Sequence, residues 1–73
     1  MTNHRDGLPY LPNSEITRLI NEWIYSEVDR HVLKRYLIDG ISIERIAEEV
    51  DRSPRQTARI IKGGKIQLNK VLK

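Results

Sequence analysis

A serine followed by apolar residues at intervals of three and four occurs four times along the chain, at Ser14, Ser26, Ser42 and Ser53, and this recurrence restricts it to short helices. A serine oxygen accepts one of the backbone N–H groups that a helix start leaves unpaired. The three/four spacing puts the apolar side chains on one face. The stripe Ile16, Leu19, Ile20, Trp23 and Ile24 predicts a helix over 14–25, capped by Asn13 or Ser14, with Trp23 in the core. Val28, Val32, Leu33, Tyr36 and Leu37 predict a second over 28–38. It opens on Ser26-Glu27-Val28-Asp29, which resembles a capping box, and ends at Asp39-Gly40, where glycine adopts a left-handed conformation without a Cβ clash. Behind Ser42, Ile43, Ile46, Ala47 and Val50 face inward over 43–50, while Glu44, Arg45, Glu48 and Glu49 face out.

The fourth start is the best defined. Ser53 is a good cap, Pro54 occupies the first helical position where its missing N–H costs nothing, and Gln56 completes a capping box. Thr57, Ala58, Ile60 and Ile61 supply the buried side of a helix over 54–62. Gly63-Gly64 is expected to end it, because each glycine costs roughly 1 kcal/mol inside a helix. Beyond the glycines, Lys65-Ile66-Gln67-Leu68 alternates like a strand, yet Leu68, Val71 and Leu72 fit a helical face; a short further helix is the preferred reading. The expected fold class is therefore all-α, a small bundle of four helices, or five if the last segment is helical. Gly7, Pro9 and Pro12 make 1–13 an irregular segment, from which Leu8, Tyr10 and Leu11 can fold back onto the core. Residues 14–73 form one helical domain, since 73 residues leave no room for a second core.

Cysteine is absent, which removes disulfides, thiol nucleophiles and cysteine-ligated zinc. No apolar run reaches the length of a membrane span, and Met1-Thr2-Asn3-His4-Arg5-Asp6-Gly7 lacks the basic-then-apolar pattern of a signal peptide, so a cytoplasmic protein is expected. His4 stands alone, and His31 has no metal-ligand spacing around it. Glu48 and Glu49 point in different directions on a helix, and the four serines are explained as caps. No metal, cofactor or catalysis is expected. Charge is informative in its distribution: residues 52–73 carry seven Lys/Arg and no acid, whereas residues 1–51 carry six Lys/Arg and ten acids. One-sided basic charge is the footprint of a nucleic-acid binder.

Residues 43–62 have the anatomy of a helix-turn-helix. Ala47 is small where a second helix must cross, Ile46, Val50 and Ile60 join the two helices, and Asp51 occupies a turn position that needs a left-handed backbone. The stretch Ser42-Ile43-Glu44-Arg45-Ile46-Ala47-Glu48-Glu49-Val50, with Ser53, Ile60 and the preceding helix closed by Asp39-Gly40, resembles region 4 of bacterial sigma-seventy-type factors and small phage regulators sharing that module. The resemblance spans 28–62. Asp51 stands where glycine is common, Arg52 and Thr57 where apolar residues are usual, and Pro54 where the family often has a base-reading arginine. Nothing resembles a sigma factor's core-polymerase-binding region, so a complete sigma factor is not implied. The resemblance implies a sequence-specific binder of double-stranded DNA, of the kind that regulates transcription in phages and mobile elements. Arg55, Arg59 and Gln56 are the candidate base readers; Arg52, Ser53, Lys62 and Lys65 are candidate phosphate contacts. A homodimer on a two-fold site is compatible with this reading. Two alternatives stand beside it: the DNA-recognition domain of a packaging (small terminase-like) or recombination protein, and a module that binds RNA polymerase or a sigma factor through Glu44, Glu48 and Glu49.

Overall fold

In the computed structural model, which describes residues 11–72, the chain folds as four helices and, among the described residues, no strand. They are α1 (Asn13–Trp23), α2 (Glu27–Leu37), α3 (Ile43–Val50) and α4 (Pro54–Leu72). Among the described residues, no helix is long and apolar enough to cross a membrane. Most of the segment expected to be irregular, with Leu8 and Tyr10, lies outside the described residues; Leu11 is half-buried against the core and Asn13 is already helical.

Three helix starts follow the expected chemistry. Ser26 Oγ accepts from the Asp29 N–H and Ser42 Oγ from the Arg45 N–H, each at 3.3 Å. At α4 the bonds are reciprocal: Ser53 Oγ accepts from the Gln56 N–H at 3.1 Å, and Gln56 Oε1 accepts from the Ser53 N–H at 3.2 Å. The first start differs. Pro12 takes the cap position and makes no side-chain cap bond, while its carbonyl accepts from the N–H groups of Glu15 and Ile16. Proline is already extended there (φ −61°, ψ 154°), so Asn13 and Ser14 fall inside the first turn. The other end of α1 is closed from a distance. The Arg30 guanidinium on α2 donates to the carbonyls of Asn21, at 3.0 Å, and Ile24. A helix end otherwise leaves such carbonyls unpaired.

The core has two lobes. Ile16, Leu19, Ile20 and Ile24 meet Leu33 and Leu37 of α2 and Leu68 of α4, with Val71 and Leu72 at the margin. Val32 of α2, Ile46 of α3 and Ile61 of α4 form the other, bordered by Val28, Ile43, Val50 and Ile60. Tyr36 packs against both. Thus α2 is central, and α4 contributes its first half to one lobe and its second half to the other.

This division corrects the expected end of the fourth helix. Gly63-Gly64 do not stop α4, and the strand-like alternation of 65–68 belongs to a continuous helix. Two glycines disfavour a helix by roughly 2 kcal/mol together. Complete burial of Leu68 and partial burial of Val71 and Leu72 outweigh that. Trp23 is the other correction. It is 39% exposed at the end of α1, because Ile24, in the extended residue that follows, fills the lobe instead.

Candidate nucleic-acid interface

Everything between α3 and α4 is done by residues 51–53. Asp51 adopts the left-handed conformation the sequence requires of it (φ 58°, ψ 45°). Its N–H reaches back to the Glu48 carbonyl at 3.4 Å, and the Arg52 N–H reaches the Ala47 carbonyl at 3.0 Å. These two bonds form the paired closure that satisfies a helix's last carbonyls. The chain then turns through Ser53 into α4 with its start pinned by the Ser53–Gln56 pair. Ala47 is 2% exposed beneath the turn. Thr57 is fully buried, and its hydroxyl donates to the Ser53 carbonyl at 3.0 Å, so a polar residue occupies a core position with its one donor satisfied. Ser53→Ala is expected to cost about 1 kcal/mol, through loss of one half of the reciprocal cap, as a lower midpoint in urea unfolding.

This construction fixes which side of α4 faces out. Arg55, Arg59, Lys62, Ile66 and Lys70 recur at spacings of four and three and are all exposed, so they form one edge of the helix. Arg52, Gln56, Arg59 and Ile60 line a shallow open depression of about 310 Å³ beside that edge. Among the described residues, no carboxylate pairs with Arg52, Arg55, Arg59 or Lys62. The candidates singled out in the sequence are therefore partly brought together: Arg52, Gln56 and Arg59 share the depression, and Arg55 and Lys62 share the edge. Ser53 is exposed and used as the cap. Lys65 lies elsewhere, half-buried with its ammonium 5.7 Å from the centre of the Tyr36 ring. Gly63 and Lys70 join this surface without having been singled out, and continuing the helical period through the glycines finds both; Ile60, expected on the buried side, is half-buried and lines the depression.

The acids of α3 are turned to a different neighbour. Arg35 on α2 donates to both oxygens of Glu49, at 3.0 and 2.6 Å, and also to Asp39 at 3.0 Å. His31 Nε2 lies 3.0 Å from Glu49 Oε1. The hydrogen bonds from the Arg35 guanidinium, then that with His31, hold the Glu49 carboxyl down to about 2 from an ordinary 4.5. A carboxyl whose pKa is depressed on folding stabilises the fold above its unfolded pKa and loses that contribution as pH falls through the folded one. The Glu49 contribution is thus present above about pH 4.5 and lost between there and about pH 2. Glu49→Gln is expected to flatten this part of the curve of melting temperature against pH and leave the neutral-to-alkaline part parallel to wild type. An unchanged acid limb in the variant would show that the ion pair does not form in solution.

Glu44 and Glu48 are exposed and pair with none of the α4 cations. The surface around the start of α4 therefore combines unpaired guanidinium groups, a hydrogen-bonded turn and the amide of Gln56, whose oxygen is held by the cap. That set suits a polyanion with planar hydrogen-bonding groups. Comparison with protein-family models, curated protein sequences and solved structures finds no match for this chain.

Proposed function

We propose that the protein binds double-stranded DNA through a helix-turn-helix made of α3 and α4, with the first half of α4 in the major groove. One observation carries the reading: Arg52, Arg55, Arg59 and Lys62 are exposed and unpaired, while Glu49 of the neighbouring α3 is held by α2. A side chain already committed to an internal ion pair must break it before binding anything else, and these four are committed to none. The pinned helix start adds direction, because the residues of the first turn project from a defined point. The resemblance of residues 28–62 to region 4 of sigma-seventy-type factors and to small phage regulators sharing that module favours transcriptional regulation as the setting. The reading in which Glu44, Glu48 and Glu49 form an acidic docking face is weakened by the engagement of Glu49.

The test is a titration of the whole chain with random-sequence duplex at several salt concentrations, followed by selection of bound sequences from a random pool. Counterion release predicts that log K falls linearly with log salt, with a slope of about −3 to −5 for four or five phosphate-neutralising cations. Enrichment of a common sequence would establish specificity. Binding that is absent, or indifferent to salt, would overturn the reading.

A further inference from the structure

Gly63 has no role inside the fold. It lies in the interior of α4, it is exposed, and a Cβ built on it would touch nothing within 4 Å. Its φ is not positive; Gly40 is the glycine with that conformation among the described residues. Neither packing nor backbone geometry therefore accounts for a residue that disfavours a helix by roughly 1 kcal/mol relative to alanine. Its neighbour contrasts with it, because a Cβ on Gly64 would come within 2.4 Å of Leu33 Cδ1.

What Gly63 does have is a position. It lies four residues after Arg59 and three after Ile60, one turn beyond the depression lined by Arg52, Gln56, Arg59 and Ile60. On a helix, residues at those spacings share a face. The missing side chain therefore leaves the depression open towards the C-terminal half of α4, with Arg59 and Lys62 beside it. Glycine is the residue that lets a ligand approach a helix backbone most closely.

We propose that Gly63 is a close-approach point at which the sugar-phosphate backbone of bound duplex DNA lies directly against α4, next to Arg59 and Lys62. The inference rests on the DNA-binding reading and adds a second contact to it. The first turn of α4 reads the groove, and the helix then passes under the strand that borders it. A side chain at 63 would hold the phosphates off and lengthen the Lys62 contact.

Two variants test this, each measured by thermal unfolding and by titration with random-sequence duplex and, once known, the selected duplex. Gly63→Ala and Gly63→Leu should both melt at or above the wild-type temperature, because nothing opposes the added atoms. Duplex binding should weaken about three-fold or more for alanine and about ten-fold or more for leucine, equally on both duplexes, as expected for a phosphate contact rather than a base contact. Wild-type affinity in a stable Gly63→Leu protein would overturn the inference and leave the DNA-binding reading intact. A loss confined to the selected duplex would also overturn it, by making the contact one to a base. If the wild-type chain binds no duplex at all, the DNA-binding reading fails and the inference falls with it.

Discussion

Gly64→Ala is expected to destabilise the fold by about 1–3 kcal/mol, the range for added atoms in a filled core. The adjacent change Gly63→Ala should stabilise it by about 0.5–1 kcal/mol, the gain from removing glycine from a helix interior. For a domain of this size, 1 kcal/mol corresponds to roughly 4–8 °C in melting temperature, so the two variants should be clearly separated in opposite directions. The reason lies at the crossing of α4 over α2. An added Cβ at Gly64 would stand 2.4 and 2.6 Å from the two methyls of Leu33 and 3.0 Å from its Cγ. Methyls on the surface swing away at little cost. Those of Leu33 are completely buried among Ile16, Ile20 and Leu37, so either they crowd α1 or α4 lifts off α2. Both routes disturb a close-packed interior. Equal shifts of one sign in the two variants would mean that α4 and α2 do not meet at Gly64 and Leu33. A Leu33→Ala change should cost less in the Gly64→Ala background than in wild type, because the two sites share one volume.

Arg55 and Arg59 carry the second large expectation. If each meets a base edge, replacing either by alanine should cost about 1–3 kcal/mol on the selected duplex, or about ten-fold to a hundred-fold, and relax the preference at one base position. Lys62→Ala should weaken binding to all duplexes alike and make the salt slope shallower by about one. Neither arginine has an internal partner, so folding and circular dichroism should be unchanged, and any loss of binding reports on the complex. Equal losses on selected and random duplex would assign both arginines to phosphates. No loss on either would remove them from the interface and, with them, the main support for DNA recognition.

The parts of this fold that were legible in the sequence are the local ones. Ser26, Ser42 and Ser53 declare their helices because a cap needs only the next three residues. Asp51 declares the left-handed turn because few side chains tolerate it. What escaped depends on residues far apart in the chain. Gly63-Gly64 reads as a stop while only α4 is considered, and as a crossing once Leu33 is known to lie beneath it. Trp23 fits the apolar stripe of α1 perfectly well, yet Ile24 takes the buried place because the chain straightens there to reach Ser26. The bonds from Arg30 to α1 and from Arg35 to Glu49 span helices, and no periodicity within one helix announces them. At the candidate site the same division holds. The arginines and Gln56 follow from the helix start, whereas the removal of Lys65 to the Tyr36 ring is a matter of tertiary packing.

Because α4 belongs to both lobes, its crossing with α2 is the pivot about which a change in the packing of either lobe would tilt it. Nine residues separate Gly64 from Arg55, about 13 Å of helix, so a tilt of roughly ten degrees at the pivot would carry the Arg55 end through about 2 Å. That displacement exceeds the tolerance of a directed hydrogen bond. The aim of the cationic end is therefore set in part by how Leu68 seats against Ile16 and Ile20 at the opposite end of the molecule. Substitutions in α1, which come nowhere near the proposed DNA surface in sequence, can change what that surface reaches without altering one of its residues.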